Sequence, residues 1–303
     1  GTVDPSAFVL DMGQNLAGFP EITVRGKKGQ KITLLVSESL TDEGACNQRQ
    51  TGRQHYYEYT LKGEGVETWH PRFSYYGFRY IQVEGAVLKG QKNTLHLPVI
   101  QKIQSCFVYN SAPKVSTFQC SNRIFNEAHR LIEKAVRSNM QSVFTDCPHR
   151  EKLGWLEQDH LCGPGLLYNY DLTGFVSQTL QNIADAQHAN GAVPTTAPEY
   201  VVFEGPGMDA FAESPEWGCT FVVLPFMYYE TYGDDSLIRK YYNGMRRYID
   251  YMTTRANDGI VSFGLGDWYD YGDFRAGFSR NTPVPLVATA HYYMVVRLSL
   301  IHI

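Results

Sequence analysis

The first 110 residues contain short apolar segments, rich in aromatic and β-branched side chains, that partly alternate with polar positions. Turn signals with Gly and Asn separate these segments, and no helical period lies between them. Such segments are typical of β-strands, and many in succession predict an antiparallel β-sandwich of the jelly-roll kind over residues 1–110. The predicted strands cover residues 8–11, 22–24, 31–38, 55–61 and 78–84, with one or two more over 103–119.

The period of the apolar positions changes after Cys120. Asn122 is a residue type favoured as a helix N-cap, and the apolar side chains after it are spaced by three and four positions, as on one helix face. This spacing predicts a helix over 122–140. Comparable patterns predict helices over 156–170, 172–189, 217–232, 235–254 and 284–298. We therefore expect an α+β chain with segregated domains, in which a linker over 111–120 leads to a helical domain over 121–303.

The two ends of the sequence give an expectation of their own. The chain starts at Gly1 without an initiator Met, and it stops within the apolar helical pattern of residues 292–298. Because a helix of this kind needs a partner to bury its apolar face, we expect a fragment that is truncated at both ends. Residues 298–303 also resemble translated read-end sequence.

Composition excludes several classes of protein. The 27 basic and 31 acidic residues give a formal charge of −4, which argues against a dedicated nucleic-acid binder. No run of 18 apolar residues is present, so no membrane span is predicted. The six cysteines form no CxxC pair and have no Cys/His ligand spacing, so neither a zinc site nor a disulfide scaffold is expected. The aromatic content of 14% fits a large core, and it also fits rings that stack on sugars.

Three loops between the predicted helices concentrate polar and aromatic residues. The richest is 145–155 (TDCPHREKLGW), and the loops with 213–218 (ESPEWG) and 264–272 (GLGDWYDYG) also place a Trp beside carboxylates. A charged loop is most often only a solvated surface. Glycoside hydrolysis, however, needs this combination: a protonated carboxylic acid for the leaving oxygen, a second carboxylate to activate water, and rings that hold the sugar.

Residues 145–155 closely resemble the signature of the bacterial α-L-rhamnosidases of glycoside hydrolase family 78. Residues 11–18 (DMGQNLAG) and 71–80 (PRFSYYGFRY) are similar to parts of the β-domain that precedes the catalytic domain in that family. The resemblance covers the chain up to about residue 297. It implies a β-sandwich followed by an (α/α)6 barrel, and an inverting hydrolase that removes terminal α-L-rhamnose from rhamnose-containing oligosaccharides or glycosides without a cofactor or a metal.

The resemblance also assigns roles to residues. Glu151 matches the general acid, Asp146 the carboxylate that holds the rhamnose hydroxyls, and Trp155 a wall of the sugar pocket. Arg150 is expected to reach into the site. Weaker matches to sugar-contacting loop residues are Trp217, Asp267 and Trp268. The family often has another acid where this chain has Gln158, so the sugar-facing residue is open between Gln158, Glu157 and Asp159.

The mechanism that the resemblance implies adds expectations about geometry. Glu151 has to stay protonated near neutral pH, which requires burial or a neighbouring carboxylate. We therefore expect Arg150 and Lys152 to point away from it, Arg150 toward Asp146 or the sugar. The family's general base is a Glu farther downstream than this chain extends, and about six of the twelve barrel helices are visible. The chain alone is thus expected to be inactive and marginally stable, with an exposed apolar face.

Two other functions stay open from the sequence. One is a non-catalytic carbohydrate-binding protein that uses the β-sandwich and its rings, which leaves residues 145–155 without a role. The other is a different (α/α)6 glycosidase. Oligomeric state and the particular rhamnoside are not predicted. The resemblance implies a periplasmic or secreted bacterial enzyme.

Overall fold

A computed structural model describes residues 7–300, so the first six residues and the last three of the 298–303 segment lie outside the described residues. Two compact units are found. The first comprises residues up to 110, 120–141 and 147–152, and the second comprises 111–119, 142–146 and the residues from 153 onward. Each unit is described by itself.

The first unit is built on one hydrogen-bonded sheet of seven strands. These are β1 (Phe8–Arg25), β2 (Lys31–Ser37), β3 (Tyr56–Thr60), β4 (Val66–Trp69), β5 (Tyr76–Glu84), β6 (Val87–Leu88) and β7 (Val99–Phe107). Their order is β3-β2-β5-β1-β7-β6, and β4 pairs with the second half of β1. Inward-facing side chains of β1, β2, β3, β5 and β7 form its core, including Ile22, Leu34, Phe78, Ile81 and Ile100.

The strands differ from the predicted ones in three ways. Among the described residues all seven are joined by hydrogen bonds through β1, whose first part pairs with β5 and whose second part pairs with β4 and β7, and β6 runs parallel to β7. The predicted strands at 8–11 and 22–24 are parts of one 18-residue strand, β1. The turn signal at 13–15 instead marks a register shift between Asp11 and Leu16 in the pairing with β5. A glycine within a strand allows such a bulge, and Gly13 has a φ of 81°.

Helix α1 (Arg123–Asn139) groups with this sheet, whereas the sequence assigned it to the helical domain. The predicted N-cap is confirmed, because the side chain of Asn122 accepts a hydrogen bond from the backbone N–H of Ile124 at 2.9 Å. The apolar face of α1 is largely exposed: Ile124 is 75% exposed, Phe125 60% and Leu131 62%. The sequence therefore correctly predicted an exposed apolar helix face.

The second unit contains eight helices and a two-stranded hairpin among its described residues. The helices are α2 (Glu157–Leu161), α3 (Gly163–Asn169), α4 (Thr173–Ala186), α5 (Asp209–Ala212), α6 (Pro215–Gly218), α7 (Thr220–Tyr232), α8 (Ser236–Arg255) and α9 (Val284–Leu300). The hairpin strands are β8 (Asp270–Gly272) and β9 (Phe274–Gly277).

Helix α7 lies at the centre of this unit. It is apolar around most of its circumference and contacts α2, α3, α4, α8 and α9. A helix that is hydrophobic on all sides is stable only when other elements surround it. The predicted helix over 156–170 is two short helices, since the chain breaks at Cys162 before the Gly163-Pro164-Gly165 sequence. The other predicted helices match α1, α4, α7, α8 and α9 closely.

Within residues 7–300, every helix is too short or too polar to cross a membrane.

Candidate active site

The loop 145–155 is closed at its base by two hydrogen bonds. The backbone N–H of Asp146 donates to the carbonyl of Leu153, and the N–H of Leu153 donates to Oδ1 of Asp146, both at 3.3 Å. Gly154 follows at a point where a Cβ would lie 2.7 Å from the carbonyl oxygen of Ala197. Only glycine fits there, which explains its place in the motif.

Within the first unit, residues 147–152 are fixed against the sheet. The carbonyl of Pro148 accepts a hydrogen bond from the N–H of Gly77 at 2.7 Å, and Nζ of Lys152 donates to the carbonyl of Tyr75 at 2.9 Å. The same ammonium group lies 4.7 Å from the ring centre of Tyr75 and 4.8 Å from that of Tyr76. Lys152 thus makes cation–π contacts with both rings, and the prediction that it points away from Glu151 is confirmed.

The prediction for Arg150 is wrong. Its Nε lies 3.6 Å from Oε1 of Glu151, and the side chain of Glu151 is 38% exposed within the described residues. The reason is local: the two side chains are adjacent in sequence, and their opposite charges attract across a short distance. The first unit therefore does not itself supply the burial that the sequence analysis expected around Glu151.

In the second unit, the three loop tryptophans belong to one chain of aromatic contacts. Trp155 stacks on Phe203 with a centroid distance of 5.4 Å, and it meets Trp217 edge-on at 6.3 Å. Phe203 contacts Phe211, which packs against Trp268 at 5.3 Å. The three loops singled out in the sequence thus meet through their rings. Phe203, Phe211 and Phe278, which completes the cluster, were not predicted, because isolated Phe residues give no distinctive sequence pattern.

A group of carboxylates lies in the same unit. Burial, together with the nearby charges of Glu216 and Asp267, raises the pKa of Glu157 to about 7. Asp159 is buried on α2, and burial raises its pKa to about 8. Of the three positions that the sequence left open, Glu157 is therefore the one that interacts with other loop carboxylates.

Glu216 is the most buried member of this group. It is 1% exposed, and this burial raises its pKa. The hydrogen bond from Ser214 and the charge of His291 lower the pKa, but burial is the larger effect. The hydroxyl of Ser214 donates to Oε2 of Glu216 and accepts from the N–H of Leu265 at 2.8 Å. Oε1 of Glu216 has no hydrogen-bond partner among the described residues. The sequence placed Glu216 beside Trp217 but gave no reason to prefer it over other loop acids.

The raised pKa of Glu157 predicts a pH-dependent stability. Between about pH 4.5 and 7 the folded chain retains a proton on Glu157 that the unfolded chain has lost, so its contribution to the free energy of unfolding falls as pH rises. Glu157→Gln should then raise the free energy of unfolding by about 1–3 kcal/mol at pH 8 and leave it nearly unchanged at pH 4. Urea unfolding of both proteins at the two pH values measures this.

The matched control is Glu230→Gln, which changes an exposed Glu on α7. It should shift stability by a similar small amount at both pH values. Equal effects of Glu157→Gln at pH 4 and pH 8 would show that burial does not perturb this carboxyl.

Comparison with known proteins agrees with this arrangement. Residues 113–300 match the family model of the bacterial α-L-rhamnosidase six-hairpin glycosidase domain, and residues 1–109 match that of the bacterial α-L-rhamnosidase concanavalin-like domain. The chain belongs to the bacterial α-L-rhamnosidase family. The resemblance seen in the sequence is thereby confirmed, and so is a six-hairpin glycosidase domain after an antiparallel-rich sheet.

Individual rhamnosidases support the same assignment. An α-L-rhamnosidase of Formosa agariphila is 31% identical over 273 residues, which cover 86% of this chain and 28% of the relative. One of Streptomyces avermitilis is 31% identical over 294 residues, covering 95% of this chain and 26% of the relative. The chain thus spans between a quarter and a third of the length of these relatives.

Solved structures of rhamnosidases share the fold. The α-L-rhamnosidase of Dictyoglumus thermophilum aligns with a TM-score of 0.83 and 28% identity over 99% of this chain and 33% of that structure. The Streptomyces avermitilis enzyme, solved in complex with L-rhamnose, aligns with a TM-score of 0.80 and 29% identity, over 98% of this chain and 27% of that structure.

Proposed function

We propose that this chain forms part of a glycoside hydrolase that removes terminal α-L-rhamnose with inversion at the anomeric carbon. The observation that carries the proposal is the cluster of loop tryptophans and carboxylates in the second unit, in a chain of the rhamnosidase family. Because relatives are three to four times longer than this chain, activity belongs to the protein expressed from its complete reading frame.

In this proposal Glu151 is the general acid. It donates its proton to the glycosidic oxygen as the bond to the anomeric carbon breaks, so that the aglycone leaves as a neutral alcohol. A water molecule attacks the opposite face of the sugar and loses a proton to a second carboxylate. An inverting site holds the two carboxyl groups roughly 6.5–9.5 Å apart to admit this water. The resemblance assigns the base to a Glu downstream of residue 303.

Sugar binding is assigned to other residues of the loops. The faces of Trp155 and Trp268 offer apolar surface to the C–H side of the pyranose, while Asp146 and Asp267 accept hydrogen bonds from its hydroxyls. Trp217 is only 3% exposed and meets Trp155 edge-on, so it supports the ring of Trp155 rather than offering a face of its own. Arg150 supplies donors to the same hydroxyls or holds Glu151 in position. The ion pair between Arg150 and Glu151 supports the second role.

The helical domain is proposed to be a complete (α/α)6 barrel in the full enzyme, following a β-domain over 1–110 and a linker over 111–120. The support is the uncovered apolar face of α1, with Ile124, Phe125 and Leu131 more than half exposed in the described part of the chain. Further helices of the six-hairpin domain would bury such a face, which soluble proteins seldom leave open.

A panel of aryl glycosides tests the proposal. The protein from the complete reading frame should release the chromophore from aryl α-L-rhamnoside and leave aryl glucosides and glucuronides intact. Preference for another glycoside would favour a different six-hairpin glycosidase. No hydrolysis together with glycan binding by residues 1–110 would favour a carbohydrate-binding protein.

A further inference from the structure

Two histidines and a cysteine meet inside the second unit. His160 lies on α2, Cys219 joins α6 to α7, and His291 lies on α9. One nitrogen of each imidazole and the Sγ of Cys219 all lie within 4.8 Å of one another. His160 is 8% exposed and Cys219 is 1% exposed, so the group is in the interior rather than on a solvated surface.

Hydrogen bonds determine which nitrogen of His160 is available. The hydroxyl of Thr220 donates to the carbonyl of Leu156 at 2.8 Å, so its oxygen accepts from Nδ1 of His160 at 2.7 Å. Nδ1 therefore carries the ring proton, and Nε2 presents its lone pair toward Sγ of Cys219 at 3.9 Å. A second hydrogen bond that orients the ring and fixes its tautomer is typical of histidines that bind metals.

His291 is arranged in the same way. Its Nδ1 lies 2.9 Å from the carbonyl oxygen of Val287, which only accepts hydrogen bonds, so Nδ1 is the donor and Nε2 is left for a ligand. Val287 lies one turn earlier on α9, and this local contact keeps the ring in one orientation. Both imidazoles thus use their Nδ1 protons in hydrogen bonds, and the thiol of Cys219 completes the set of three groups.

The spacing fits one metal ion. Zinc bonds of about 2.3 Å to sulfur and 2.0–2.1 Å to nitrogen, at a tetrahedral angle, place the two ligand atoms roughly 3.6 Å apart. The 3.9 Å between Sγ of Cys219 and Nε2 of His160 is within a small side-chain movement of that value. Oxygen-preferring cations such as Mg²⁺ and Ca²⁺ are excluded by a set of two nitrogens and one sulfur.

We propose that His160, Cys219 and His291 bind a borderline-soft divalent cation of the Zn²⁺ type, which fastens α2 and α9 to the junction of α6 and α7. Glu216 supports this site, because it is buried three residues before Cys219, interacts electrostatically with His291 and leaves Oε1 without a partner among the described residues. Ionised beside a bound cation, its carboxylate would balance part of the cation's charge. The three ligands are too far apart in sequence to form a recognised zinc motif, which is why the sequence predicted no metal.

Cobalt provides the most direct probe, because a thiolate bound to Co²⁺ gives a charge-transfer band in the near ultraviolet. The chelator-treated chain should bind one Co²⁺ with this band, and Zn²⁺ should displace it. Cys219→Ser should abolish the band. The matched control, Cys162→Ser, removes an exposed thiol near the site and should retain it.

Two further variants separate ligation from folding. His291→Gln changes a partly exposed residue and should lose Co²⁺ binding while keeping the far-ultraviolet circular dichroism of the chain. Thr220→Val removes the hydroxyl that orients His160 and donates to the carbonyl of Leu156, and it should weaken Co²⁺ binding about 10–100-fold. Zn²⁺ should raise the Tm of the chain and of Cys162→Ser but not of Cys219→Ser.

The proposal is overturned if the chain binds no stoichiometric Co²⁺, or if the charge-transfer band persists in Cys219→Ser. These readouts do not depend on rhamnoside hydrolysis, so the metal site and the proposed function succeed or fail separately.

Discussion

Glu151→Gln is expected to lower kcat by about 10²–10⁴ on a rhamnoside whose aglycone is a simple alcohol. The amide has the size of the acid but cannot give up a proton to the glycosidic oxygen, so the aglycone would have to leave as an alkoxide. A dinitrophenyl rhamnoside needs no such proton, because its phenolate is stable. Its rate should fall far less, and the ratio between the two substrates is the quantity to measure, in the protein from the complete reading frame.

Glu157→Gln is the matched control for that experiment. It changes another Glu in the same stretch of chain, one whose pKa burial raises to about 7. If Glu151 is the general acid, Glu157→Gln lowers kcat on the two substrates by a similar factor. If the dependence on the leaving group appears in Glu157→Gln and not in Glu151→Gln, the general acid is Glu157. The 38% exposure of the Glu151 side chain makes this comparison necessary.

Trp155→Ala should raise KM for an aryl α-L-rhamnoside by about 10–100-fold. Losing about 100 Å² of apolar contact with the sugar costs roughly 2.5 kcal/mol, and each 1.4 kcal/mol is about tenfold in affinity. Trp155→Phe keeps a ring that can stack on Phe203 and should recover most of the loss. Initial rates over a range of substrate concentrations give the comparison.

Trp69→Ala is the control for loss of an indole in general. Trp69 lies in the sheet of the first unit, where it stacks on Tyr59 at 4.9 Å. Its replacement should lower Tm without changing KM. A KM for Trp155→Ala within twofold of the unchanged protein would remove Trp155 from the sugar pocket.

The helices could be predicted from the sequence because each has a strong local signal. Apolar residues that recur every three or four positions, together with the N-cap at Asn122, define α1 without reference to any other part of the chain. The sheet was less predictable. Continuity of β1 through Gly13 and the parallel pairing of β6 with β7 depend on partner strands that are distant in sequence.

The same distinction applies to the site. The motif at 145–155 and the three tryptophans were found because unusual residues lie close together in the sequence. Other features arise only when separate helices pack together. These are the raised pKa of Glu157, the burial of Glu216 and the contact of His160 with Cys219 and His291. Arg150 shows the limit within the motif itself, since its pairing with Glu151 depends on side-chain orientation that residue types do not determine.

The stereochemistry of the reaction tests the central claim most directly. Proton NMR should follow hydrolysis of an aryl α-L-rhamnoside by the protein from the complete reading frame, before the released sugar mutarotates. The account predicts that β-L-rhamnose appears first and the α-anomer only later. Initial release of α-L-rhamnose would contradict an inverting mechanism, and absence of any rhamnose would contradict the proposed function itself.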